Sequence, residues 1–283
     1  MEDIQSIYPT PLIKLSKLSK KLGNEIYAKL ELFNPTGSHK DRETLELIKN
    51  LKGKEVVIAS TGNAAISLSA LALGKGVTVH VFISKYINKE RLNFIKTFRP
   101  VLHVVEGSYV DAIRQSEEFA LKRGIETANP GRNTNKIIGD SHIGKEIGKQ
   151  MTGDIDYIVV PTNNGTLLSG IWYGIKTTAK PHMVAAISPN SKFMESISGY
   201  HRFDGIELDN AINESLGKIM IVNDKEAARY ALELAKEGIF CEVASSSTPA
   251  VVPRLGVTNN KIVIIITGSA LKFIKSYKKI FVV

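Results

Sequence analysis

Lys261-Ile262-Val263-Ile264-Ile265-Ile266-Thr267 is the stretch from which the fold is read. Six β-branched residues in a row suit a strand. The lack of polar alternation suits a strand covered on both faces, as parallel strands are beneath helices. Outward from it, similar short runs recur at residues 25–32, 55–59, 77–83, 101–105, 157–161, 184–187 and 218–222. Helix-like stretches lie between them at 41–51, 64–73, 110–123, 143–150, 167–177 and 225–236. Strand and helix alternating at this spacing predicts an α/β class built from βαβ units, with mainly parallel strands. Residues 129–135, Asn-Pro-Gly-Arg-Asn-Thr-Asn, form the strongest loop signal and a natural return between two lobes. Residues 189–213, with Gly199 and Gly205 among polar neighbours, read as a surface excursion.

The 283 residues amount to about two domains at roughly 150 residues each. A hydrophobic share of 43% and a charged share of 23% are those of an ordinary globular protein. No apolar run reaches the ~18 residues that span a bilayer, so no membrane partner is expected. The start, Met1-Glu2-Asp3-Ile4, is acidic without an apolar segment, which argues against a signal peptide and for a cytoplasmic protein. One cysteine, Cys241, excludes an internal disulfide and a cysteine metal cluster. The net charge of +9 is scattered, with its densest groups at 14–21 and 272–279, and neither interleaves aromatics as nucleic-acid modules do. A solvated basic surface that suits an anionic cofactor or substrate is the expectation, with no nucleic-acid partner.

Ligands of open α/β sheets bind beyond the carboxyl ends of the strands, so strand-to-helix turns should carry the chemistry. The first such turn is Asn34-Pro35-Thr36-Gly37-Ser38-His39-Lys40-Asp41-Arg42. Pro35 and Gly37 turn the chain, and Ser38 is predicted to cap the next helix. Lys40 then falls in the first helical turn. There the positive end of the helix dipole favours a neutral amine, the form that attacks an aldehyde. Taken alone, a solvated surface lysine is the stronger reading.

The second turn, Ser60-Thr61-Gly62-Asn63, offers N–H and O–H donors suited to a carboxylate, or else a simple helix cap. The third, Pro161-Thr162-Asn163-Asn164-Gly165-Thr166, can present successive backbone amides to a phosphate but lacks the lysine of a nucleotide-binding P-loop. The fourth, Thr267-Gly268-Ser269-Ala270, puts a hydroxyl at the end of the most apolar strand.

Together and in this order, these segments resemble the fold type II pyridoxal phosphate (PLP) enzymes, the tryptophan synthase β-like family, nearest the threonine synthase branch. The resemblance runs from Pro9-Thr10-Pro11-Leu12 to Thr267-Gly268-Ser269-Ala270-Leu271-Lys272. The Lys40 segment differs from the threonine synthase pattern at one position, His39 for Phe. The resemblance implies two open twisted-sheet α/β lobes with PLP in the cleft between them. The smaller lobe would be residues 35–137, and the larger 1–34 plus 138–283. It implies Lys40 as the Schiff-base lysine and general base, and Asn63 as partner of the ring oxygen. Asn163, Asn164, Gly165, Thr166 and Leu167 would hold the cofactor phosphate, with Thr267 at the pyridine nitrogen. Ser60, Thr61 and Gly62 would hold the carboxylate of a small amino-acid substrate. Glu242-Val243-Ala244-Ser245 matches a Glu-Pro-Ala-Ser segment lining the same site, and relatives are commonly homodimers.

Departures are specific. Asn163 and Thr166 stand where relatives carry glycine, Leu167 replaces a polar phosphate ligand, and Ala64 replaces a hydroxyl residue. Gly139-Asp140-Ser141-His142 matches a Gly-Gln-Lys-Thr segment, so the lysine that meets a substrate phosphate is Ser141 here. That argues against phosphohomoserine. The implied activity is a PLP-dependent lyase or synthase performing elimination or replacement, threonine synthase-like. Threonine or serine dehydratase and cysteine synthase-like chemistry stay open, as does a paralogue that binds PLP or an amino acid without turnover. Cys241, Trp172, Tyr173, Phe193, Tyr200 and Phe203 read as packing, and His80 and His103 as structural; no cluster has metal-ligand spacing.

Overall fold

Every β-branched run named above forms a strand in the computed structural model, which describes residues 8–199, 201–274 and 277. The acidic start of the chain, Tyr200 and most of the basic group beyond Ile274 lie outside the described residues. In chain order the elements are β1 (Leu12–Lys14), α1 (Ser16–Leu22), β2 (Glu25–Leu30), α2 (Lys40–Asn50), β3 (Glu55–Ala59), α3 (Asn63–Leu73) and β4 (Thr78–Ser84). Then come α4 (Lys89–Thr97), β5 (Val101–Val105), α5 (Tyr109–Arg123), β6 (Glu126–Thr127), α6 (Asn135–Gln150), β7 (Tyr157–Pro161) and α7 (Thr166–Ile175). The chain closes with β8 (His182–Ile187), α8 (Gly205–Glu214), β9 (Lys218–Ile221), α9 (Asp224–Lys236), α10 (Val243–Val251) and β10 (Lys261–Ile266). No helix among the described residues is long and apolar enough to cross a membrane.

The chain divides into two compact units, one comprising the described residues up to His39 and from Asp140 onward, the other Lys40–Gly139. The first unit holds a six-stranded sheet in the order β1-β2-β10-β7-β8-β9. β1 pairs antiparallel with β2 and every other pairing is parallel. β10 explains why its sequence does not alternate. Ile262, Ile264 and Ile266 face one core, with Leu18, Tyr230, Leu234 and Val251. Val263 and Ile265 face another, with Ile143, Ile147, Leu168 and Leu208. Helices cover both faces, and each fully buried isoleucine contributes about 2 kcal/mol. Inside this unit the fully buried Lys29 ammonium is held by Glu146, Gln150 and the Thr10 carbonyl.

The second unit holds a four-stranded parallel sheet in the order β5-β4-β3-β6. One face packs Val57, Ala59, Phe82 and Val105 against Ala112, Ile113 and Ala120 of α5.

Two expectations are corrected. The segment 189–213 is not a surface excursion: Met194, Ile197, Leu208 and Ala211 are buried, and its end forms α8. Residue 135, read as loop, begins α6. Among the aromatics, Trp172 is buried and donates to Glu214 (2.7 Å), whereas Phe203 is exposed beside His201.

Candidate functional site

The residues just before Lys40 are zipped to the end of β10. Gly37 adopts a positive φ of 78°, which glycine tolerates without strain. Its carbonyl accepts from Ser269 N–H (3.0 Å), and His39 N–H donates to Thr267 O (2.9 Å). Ser38 and Gly268 form an antiparallel bridge between these bonds. Lys40 follows as the first residue of α2. Ser38 does not cap that helix: its Oγ is buried with no hydrogen-bond partner among the described residues. His39 and Asp140, both buried, approach at 3.2 Å (Nδ1 to Oδ1), so a polar pair stands where the resemblance has a phenylalanine.

Thr267 sits at the carboxyl end of β10. Its N–H donates to Ser245 Oγ (3.0 Å), and the two hydroxyls lie 2.9 Å apart. With Ser245 donating its own proton to Thr267 Oγ1, the Thr267 proton remains available to a neutral acceptor such as a ring nitrogen. Glu242 donates its N–H to Gly268 O (2.9 Å), and its carboxylate lies 2.9 Å from where a Cβ on Gly268 would stand. Neighbouring Cys241 is fully buried, and burial pushes its thiol up to about 12, which makes it inert as a nucleophile.

β7 lies beside β10, so the turn 161–166 opens at the same end of the same sheet. Gly165 precedes α7 at φ 102°, where a Cβ would come within 2.6 Å of Asp204 O. The amides that open α7 point out of the helix with no helical carbonyl to reach. The side chains of this turn are engaged by the chain itself. Asn163 donates to Ser196 O and Ser198 O (both 3.2 Å) and accepts from His201 N–H (2.6 Å). Thr166 Oγ1 lies near Asn164 Oδ1 (3.1 Å) and closer still to the Asp204 carboxylate; its single proton goes to the charged, nearer acceptor. Leu167 is buried.

In the second unit, Lys40 Nζ pairs with Glu43 one helical turn on. The other oxygen of this buried carboxylate is 3.0 Å from Lys136 Nζ, which also donates to Ala128 O (3.1 Å). A carboxylate beside Lys40 opposes the repulsion that the helix terminus exerts on its charge. The carboxyl end of β3 carries Ser60, Thr61 and Gly62, half-buried, with Asn63 opening α3. Gly62 N–H donates to Ser60 Oγ (3.3 Å). The Thr61 hydroxyl has no hydrogen-bond partner among the described residues. The Arg91 guanidinium stands 3.1 Å from the position of a Cβ on Gly62, so a cation borders this turn.

Within the first unit, then, Thr267 and residues 163–167 meet at one sheet end; within the second, Lys40 and residues 60–63 open the paired helices α2 and α3, which Ser67 and Thr44 join at 2.8 Å. Sequence reading missed Glu43, Lys136, Arg91 and Asp204. Lys136, Arg91 and Asp204 have no local signal, since each acts on a partner fixed by the fold, whereas Glu43 stands three residues after Lys40, a spacing the sequence does show. Each unit carries groups of a kind PLP can use: in the first a hydroxyl and helix-opening amides, in the second a lysine amine at a helix start.

Comparison with known proteins agrees. The family described as pyridoxal-phosphate dependent enzymes matches residues 4–268. The chain is similar to cysteine synthase B of Salmonella typhimurium, 29% identical over 87% of this chain and 84% of that protein. It is 31% identical to threonine synthase of Methanocaldococcus jannaschii, over 93% of this chain and 75% of that one. In fold it resembles the crystal structure of cysteine synthase from Entamoeba histolytica, with a TM-score of 0.84 at 21% identity over 97% of this chain and 90% of that one.

Proposed function

We propose a function on the premise that this chain belongs to the family of pyridoxal-phosphate dependent enzymes: a threonine synthase-like lyase or synthase that performs elimination or replacement on a small amino acid. The observation that supports it most is the bonding of residues 37–39 to residues 267–269 directly ahead of Lys40. It fixes the backbone of His39, the residue before Lys40, against that of Thr267, which carries the hydroxyl proposed for the ring nitrogen.

PLP, when bound, supplies an electron sink for a carbanion at the substrate's Cα. Lys40 Nζ would hold the cofactor's aldehyde carbon and, as a free amine, would accept the substrate's Cα proton. Thr267 Oγ1 donates to the ring nitrogen without protonating it, which tempers the sink and favours loss or exchange of a side-chain group over transamination. Asn63 partners the ring oxygen, and the amides of residues 163–167 hold the phosphate. Ser60, Thr61 and Gly62 bind the substrate carboxylate. A homodimer and a cytoplasmic location complete the reading.

Dehydratase or cysteine synthase-like chemistry is favoured within the same class by Ser141, a buried residue that offers no cation to a substrate phosphate. A binding paralogue without turnover is favoured by the engagement of Asn163 and Thr166 with the chain's own groups. A panel of O-phosphohomoserine, serine, threonine and O-acetylserine with sulfide separates these, read for phosphate, ammonia, keto acid and cysteine. Turnover of any one supports the enzyme. Bound cofactor with no turnover supports the paralogue, and turnover of phosphohomoserine alone overturns the argument from Ser141.

A further inference from the structure

Asp204 directly precedes α8, yet its side chain makes no cap bond to that helix. The carboxylate, in a residue only 8% exposed, instead accepts the Thr166 hydroxyl at the opening of α7. Its own N–H donates to Asn164 O (2.8 Å). Gly165 leaves room for it, since a Cβ there would lie 2.6 Å from Asp204 O. The Asp204 carboxylate is therefore fixed within the first turn of the helix whose amides are the proposed phosphate donors. A phosphate docking on those amides meets a like charge at short range, in surroundings of low effective dielectric.

We propose that Asp204 is a specificity-determining residue that sets how strongly this chain prefers a phosphorylated cofactor to its unphosphorylated form. The inference rests on the reading that the phosphate docks at residues 163–167. The helix end supplies donors, and the Asp204 charge offsets part of their attraction. PLP is accordingly held more loosely than the amides alone would allow, and the difference lies in the phosphate.

Asp204→Asn tests this, because the amide oxygen still accepts the Thr166 hydroxyl while the charge is gone. PLP and pyridoxal are titrated against both proteins by absorbance, and inorganic phosphate by its shift of the melting temperature. PLP should bind D204N about tenfold more tightly, as expected for loss of one like charge at this range. Pyridoxal affinity should not change, and the gain should shrink as salt rises. The melting shift produced by inorganic phosphate should be larger in D204N. Unchanged or weaker PLP binding by folded D204N overturns the inference, as does an equal gain for pyridoxal. If neither protein binds PLP, the functional reading fails; the inorganic phosphate shift then still decides, equal shifts overturning the role of Asp204. Should D204N not fold, D204S removes the same charge.

Discussion

The turns after β3 and after β7 share a design, a parallel strand running into the N-terminus of a helix, but they differ in who uses their donors. After β3, Ser60, Thr61 and Gly62 are half-buried, and the side-chain hydrogen bond described among them is local, Gly62 N–H to Ser60 Oγ. After β7, Asn163 and Thr166 are tied to residues 196–204, more than thirty positions away. Both turns have the amides of an anion site. The first leaves hydroxyls for a ligand; the second has spent its side chains on its own chain. A motif at a helix start thus states what backbone groups are present, and the surrounding fold decides whether the side chains are available.

Breaking the second turn has the larger expected effect on stability. Gly165→Ala sets a Cβ 2.6 Å from a backbone oxygen at a φ of 102°. Strain and overpacking together should cost on the order of 3 kcal/mol in denaturant unfolding. A loss below 1 kcal/mol would mean that the 204–208 backbone is not fixed against the turn.

A matched pair of substitutions sharpens the contrast. Thr166→Val leaves the buried Asp204 carboxylate without its hydroxyl, at a cost of about 2 kcal/mol. Thr61→Val removes a hydroxyl that no described group uses, and stability should change by less than about 0.5 kcal/mol. The same Thr61→Val should weaken substrate binding. Equal stability losses at the two positions would erase the distinction.

The smallest effect belongs to neither turn. On β5, burial, followed by the nearby His80, holds the His103 imidazole below its ordinary value of 6.5. The unfolded chain then binds this proton more readily than the folded one, so His103 contributes stability above pH 6.5 that is lost as pH falls through its depressed value. The melting temperature should drop on acidification below pH 6.5, and His103→Phe should reduce that slope. An unchanged slope would remove His103 from the acid response.

Much of this was legible in the sequence. The apolar run of β10 identified a strand covered on both faces, and the segment 34–42 pointed to Lys40, which the structure sets at the start of α2. What escaped notice had physical reasons. α1 is rich in lysine and buries a single residue, Leu18, so its amphipathic pattern is faint. α10 contains Ser245, Ser246, Ser247 and Pro249, poor helix formers in isolation. Burial makes the helix viable, because Ser246, Ser247 and Thr248 return their hydroxyls to carbonyls three residues back (2.6 to 2.8 Å). Asp204 was invisible for another reason: its partner is set by tertiary packing, and no local spacing encodes a carboxylate brought to another helix. Glu43 stands three residues after Lys40, a legible helix pair, and only its second lysine, Lys136, is set by packing.

The most direct test of the account is chemical. The purified chain is incubated with PLP, reduced with borohydride, digested and mapped by mass spectrometry. The account predicts a pyridoxyl group on Lys40, with none fixed in Lys40→Ala. A pyridoxyl group carried instead by another lysine, or equal labelling in the Lys40→Ala protein, would contradict it.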